Sequence, residues 1–247
     1  MLTAGVDLAA ESKGTALAVL DWSSAGATLT QLHLGVDDGR IVETAGSVAK
    51  LGIDCALGWP DGFVDFVVAH SDPASEARFD GGLDWRRTLA YRETDRRVRE
   101  VTGRWPLSVS TDRLGLTAMR CAGLLGRLRD RGLDADRSGS GLVAEVYPGA
   151  TLRLWGFDTT GYRTGAESRG LLLERLTAAA PWLDLRGREA LMVSSGDAFD
   201  AVVAALGARA AALGLADAPG PADLERARRE GWVALPTVPL TALDPRT

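Results

Sequence analysis

Soft metal ligands are scarce in this chain: 247 residues include two cysteines, Cys55 and Cys121, and two histidines, His33 and His70. Two cysteines make no disulfide framework, and so few thiols and imidazoles exclude a zinc site, so any metal here is bound by oxygen. Lysine is as sparse, with only Lys13 and Lys50. The basic complement is almost all arginine, which with the abundant alanine and glycine reflects genome composition. A net charge of −5 argues against a generally basic nucleic-acid binder, although local basic patches still act at short range. No stretch approaches the ~18 to 20 uninterrupted apolar residues of a membrane span, and the first residues lack the basic and apolar regions of a signal peptide. The expected address is the cytoplasm, with no membrane partner. What the chain does have is apolar mass, 46% of its residues, over a length that suits one large domain or two small ones.

Residues 2–9 form a short apolar run with one acid near its end, followed by the turn-forming Glu11-Ser12-Lys13-Gly14. The pattern predicts a fully buried strand. Asp7 is its anomaly, because a carboxylate at the end of a buried strand needs a cationic partner, unless it merely caps the turn. Residues 15–22 and 27–35 read as second and third strands, antiparallel through tight turns. Residues 38–50 have helical spacing with Asp37 or Asp38 as cap. That helix crosses to a fourth strand at 51–56, parallel to an earlier one and bearing Asp54 near its end. Residues 57–106 are rich in glycine, proline and charge, and read as a long excursion over the strand ends. Thr111-Asp112 is expected to cap a helix reaching about residue 131. Residues 142–147, with Glu145, read as a fifth strand stopped by Pro148, and 151–188 as mostly helical. Ser195 caps a helix running to about residue 213, with Asp197 and Asp200 on one face. A short polar helix over 219–229 follows, and residues 230–236 are expected to end the ordered part.

Three strands, a helix, a strand, a helix, a strand and a helix, with acids ending the first and fourth strands, are the layout of an RNase H-like α/β fold. The expected sheet is mixed and five-stranded, strands one to three antiparallel and four and five parallel to strand one, with helices on both faces. A single domain over 1–247 is expected, with an insertion at about 57–110 and a helical one at about 148–192.

The residues themselves also resemble a known family. Gly5-Val6-Asp7-Leu8-Ala9, Ile53-Asp54 ahead of Gly58-Trp59-Pro60, Arg92 with Thr94-Asp95, Ser110-Thr111-Asp112-Arg113, Glu145-Val146-Tyr147-Pro148, Asp197 through Asp200, and Arg228-Arg229-Glu230-Gly231-Trp232 resemble the domain of unknown function 429 over nearly the whole chain. The resemblance implies a nuclease of RNase H fold. The spacing of Asp197 and Asp200 is similar to that in RuvC-type Holliday-junction resolvases, where such a pair joins acids on the first and fourth strands. The matching positions here are Asp7, Asp54, Asp197 and Asp200. The fourth-strand acid is Asp rather than Glu, which shortens its reach toward a metal.

Such a cluster suits phosphodiester hydrolysis by two divalent cations about 3.5 to 4 Å apart. Hard carboxylate oxygens select Mg²⁺ or Mn²⁺. The expectation is that Asp7 bridges both ions, that Asp54 and Asp200 each complete one, and that Asp197 assists. Glu145 is a ligand, a water-orienting base, or a carboxylate paired with an arginine. Lys13, Arg92, Arg96 and Arg113 are candidates to hold a substrate phosphate, against solvated or acid-paired roles for each. Trp59, Trp85 and Tyr91 either stack on bases or belong to the core. His70 and Cys55 have no spaced partner that would mark a catalytic role. The expected partner is DNA or RNA, and whether two copies assemble, as a resolvase requires, stays open. Two rivals stand beside the nuclease. One is a non-catalytic domain that keeps the carboxylates for an ion or a partner. The other is an actin-like phosphotransferase, for which the chain is short and its glycines offer no phosphate cradle.

Overall fold

The computed structural model describes residues 1–247 except 78, 80 and 247. Short, largely apolar runs over the first part of the chain give β1 (Leu2–Asp7), β2 (Ala16–Ser23) and β3 (Gly26–Leu34), antiparallel in succession. Asp37 starts α1 (Asp38–Ala45) by accepting the Arg40 amide at 2.8 Å, and this helix crosses to β4 (Lys50–Asp54), parallel to β1. The expected excursion is largely helical: α2 (Asp61–Ser71), α3 (Gly82–Ala90) and α4 (Glu93–Thr102). Next come α5 (Gly115–Asp130), β5 (Val143–Glu145), α6 (Pro148–Leu154) and α7 (Ala166–Ala179). The chain continues through β6 (Leu183–Asp184), α8 (Glu189–Ser194), α9 (Gly196–Ala212) and α10 (Leu224–Glu230).

The result is a mixed α/β structure whose sheet has six strands in the order β5-β4-β1-β2-β3-β6, one more than the pattern predicts. The extra strand lies in a stretch expected to be helical. Pro181 has no amide hydrogen with which to extend α7, and the Trp182 carbonyl then accepts the Ala27 amide at 2.8 Å, docking β6 on the edge of β3. Two other expectations fail locally. Asp112 accepts the Ser108 amide at 2.7 Å instead of capping α5, which begins at Gly115. The chain also stays packed beyond Pro236, with Leu240 and Leu243 buried in the core.

Strand alternation sorts the core. Ala4, Val6, Leu51, Ile53 and Val143 face α1 and α5, where they join Ile41, Leu124 and Leu128. The opposite face belongs to α9, around which α6, α7 and α8 gather through Leu152, Leu172, Leu176 and Met192. Where α9 crosses β1 and β4, that face presents glycine. Gly5 and Gly52 are register partners, and a Cβ at Gly52 would lie 2.6 Å from the Ala204 carbonyl, with still less room at Gly5 against the Ala201 carbonyl. Glycine opposite alanine lets α9 rest on the backbones of β1 and β4, and Thr3 Oγ1 fixes it by donating to the Ala205 carbonyl at 3.1 Å.

Candidate active site

Asp7 and Asp54 are the last residues of two adjacent parallel strands and are paired in register. Counting in steps of two from Gly5 and Gly52 puts both carboxylates on the α9 face. Close seating of α9 on those glycines then carries its first turns over the carboxyl ends of the strands, and Asp200 arrives opposite them. Ser195 Oγ accepts the Ala198 amide at 3.2 Å and starts the helix there. Asp200 is 2% exposed, whereas Asp197, one turn earlier, is exposed at the rim.

Among the described residues one cation sits within this cluster, and no sequence signal marks it. Arg163 lies in the loop between Gly161 and Gly165, and its Nη2 is 3.1 Å from Asp54 Oδ2 and 2.8 Å from Asp200 Oδ2. The Tyr162 hydroxyl donates to Asp200 Oδ1 at 3.0 Å. Arg169 fixes the loop by donating to the carbonyls of Tyr162 at 2.6 Å and Val193 at 2.8 Å. On the other side, Arg120 ties the segment after β1 to its neighbours by donating to the Ala9 carbonyl at 2.8 Å and Thr15 Oγ1 at 2.6 Å, and it pairs with Asp38. Arg163, Tyr162, Arg169 and Arg120 are the supporting residues that spacing alone does not reveal.

The carboxylates are held in an unfavourable field. Burial, then the charges of Asp54 and Asp200, push Asp7 up to about 9, and Arg163 only partly opposes them. Burial also raises Asp54 to about 7, against the pull of Arg163. Asp200 is raised by burial as well. For Arg163, burial favours the neutral form, but Asp200 and Asp54 outweigh it and hold the guanidinium charged. Asp7 itself has neither an ion pair nor a hydrogen bond to its carboxylate among the described residues. A cavity of about 190 Å³ opens over this edge of the sheet, lined by Asp7, Asp54, Cys55, Leu107, Tyr147 and Arg163 among others. Among the described residues, no group of three or more His, Cys, Asp or Glu side chains is arranged to hold a metal ion. In this state the cluster is closed by a guanidinium.

A family profile described as "Protein of unknown function (DUF429)" matches residues 5–224. The chain belongs to the DUF429 family. No curated protein and no solved structure matches it, and the DUF429 description names no activity. Within this DUF429 chain two groups stand out among the residues that carry the resemblance. Asp7, Asp54 and Asp200 converge as above. Arg92, Asp95, Glu145 and the segment around Gly231 form a separate buried network.

That network decides between the alternatives left open for two residues. Glu145 pairs in register with Ile53, not Asp54, so its side chain leaves the sheet on the face opposite the acidic cluster. There it takes the paired role, accepting from Arg92 at 2.6 and 2.8 Å and from the Leu57 amide at 3.0 Å. Arg92 also grips Asp95 at 2.9 Å and donates to the Glu230 carbonyl at 3.0 Å, so its fork is saturated and has none left for a phosphate. Gly231, with φ at 91°, lets the chain pass this pair, because a Cβ there would meet Glu145 Oε2 at 2.7 Å. Arg96 is paired with Glu93 at 3.0 Å and lines a different hollow. Lys13 and Arg113 are exposed and have no acid partner among the described residues. Tyr91 stacks on Trp105 at 4.1 Å, Trp85 packs with Phe66 and Phe79, and His70 stacks on Phe66. Trp59 packs with Ala56, Val109 and Ala118. Cys55 sits beside Cys121, and that contact and burial push its thiol well up, away from the thiolate a nucleophile needs.

Proposed function

We propose that the chain hydrolyses phosphodiester bonds of nucleic acid with Mg²⁺ or Mn²⁺ held by Asp7, Asp54 and Asp200, with Asp197 at the rim. The observation that carries this reading is the register pair Asp7 and Asp54 meeting Asp200 from α9 at the carboxyl end of the sheet, three largely covered carboxylates around one guanidinium. The donors are hard oxygens, as Mg²⁺ and Mn²⁺ prefer. Strands β1 to β3 antiparallel with β4 and β5 parallel to β1 is also the pairing of an RNase H-like fold, with β6 as an added edge, and this supports the same reading.

Bound cations would lower the pKa of the attacking water and stabilise the leaving oxygen. The chain's own part is to hold oxygen ligands on a rigid sheet edge, with Asp200 oriented by the Tyr162 hydroxyl. Lys13 and Arg113, both exposed, would be free to meet a substrate phosphate. One observation favours a second reading, a non-catalytic domain: Arg163 already compensates Asp54 and Asp200, as in a purely structural network.

Labelled single- and double-stranded DNA and RNA, incubated with the wild type and with Asp7→Asn, separate the two. Cleavage is expected in Mg²⁺ or Mn²⁺, absent with chelator and lost in Asp7→Asn. Equal cleavage by both proteins identifies a contaminant and removes the nuclease reading. No cleavage of any substrate by a wild type that binds Mn²⁺ selects the non-catalytic one.

A further inference from the structure

Among the described residues two arginines border the cavity, each set between two carboxylates, and they differ in how firmly they are held. The Arg92 side chain is 4% exposed, with partners 1% and 4% exposed, and it uses all three guanidinium nitrogens. It cannot leave without opening the core. Arg163 grips Asp54 and Asp200 through Nη2 alone, and 54% of its side chain faces solvent. Among the described residues, the one other polar contact of its side chain in the site is from Nε to the Tyr162 hydroxyl, at a long 3.3 Å. The loop beneath it is anchored independently, because Arg169 holds the carbonyls of Tyr162 and Arg163. The side chain is therefore free to rotate outward while the backbone stays in place and Tyr162 keeps its bond to Asp200.

We propose that Arg163 is a displaceable counter-cation: its guanidinium occupies the position between Asp54 and Asp200 that a divalent cation takes, and cation entry drives the side chain into solvent. The inference rests on the metal-binding reading above. A guanidinium brings one charge on a planar fork, whereas a divalent cation brings two and accepts oxygen ligands from all sides, Asp7 included. Exchange is thus favoured once free cation is available. Arg163 is a positioning residue that holds the two carboxylates together in the resting state and competes with the ion it stands in for.

Calorimetric titration of the full chain with MnCl₂ tests this on the wild type, Arg163→Gln and Arg163→Lys. Removing the competitor should tighten Mn²⁺ binding by about tenfold, the weight of one partly exposed ion pair, with Arg163→Lys between. Wild-type binding that Arg163→Gln leaves unchanged or weakens overturns the displacement and leaves the metal reading standing. Absence of binding in both proteins overturns the two together. Should Arg163→Gln fail to fold, the wild type alone decides. Phenylglyoxal modification of Arg163, followed by peptide mass spectrometry, should speed up several-fold at saturating Mn²⁺ while Arg92 stays unmodified, and an unchanged rate overturns the proposal.

Discussion

At Asp7, burial and two neighbouring carboxylates move the pKa from 3.8 to about 9, so the folded chain retains a proton that the unfolded chain releases. Stability contributed by this group is greatest below the unfolded value and declines as pH rises from about 4 to about 9. Asp7→Asn removes the titration. The variant should therefore melt at progressively higher temperature than the wild type across that window and converge with it near pH 4, and parallel melting profiles would refute the assignment. Arg92 gives a different expectation, because both of its carboxylate partners are buried with it. Arg92→Ala should cost about 3 to 5 kcal/mol in urea unfolding, the cost of orphaning buried charge. A loss below about 1 kcal/mol would class the pair with exposed salt bridges.

The helix α9 and the two strands beneath it decide whether a site exists at all. Its start was readable from sequence, because the Ser195 cap and the following alanines are local signals. The first and fourth strands and their terminal acids were readable too, as short apolar runs each broken by one carboxylate. Which face a strand residue uses was harder to see. Register decides it, and the pairing of Glu145 with Ile53 puts that acid on the face of the sheet opposite the cluster. The strand β6 was hidden because two residues carry no periodicity and exist only through their edge partners. At this scale the sensitive position is Gly5. Gly5→Val places a branched side chain where α9 now rests, and should destabilise by about 3 kcal/mol and weaken Mn²⁺ binding as Asp200 withdraws. Unaltered stability and binding would mean that the helix is not seated as described.

Across the whole molecule, the family match spans residues 5–224 and the site draws on its beginning, its middle and its end. Arg163 reaches an aspartate 109 residues away, and no spacing in a sequence encodes such a meeting. That is why the acids were legible and the cation among them was not. Among the described residues no helix is long and apolar enough to cross a membrane. The sheet is covered on both faces, and the cavity at its carboxyl edge is lined by the ends of β1, β4 and β5 and by Arg163 of the loop. The central claim is that this edge takes a divalent cation in exchange for a guanidinium. The most direct measurement is the anomalous difference density of a crystal equilibrated with Mn²⁺. A peak about 2.0 to 2.2 Å from oxygens of Asp7, Asp54 and Asp200, with the Arg163 side chain turned to solvent, is the predicted result. Featureless density there at high Mn²⁺, with Arg163 still bridging Asp54 and Asp200, would contradict it.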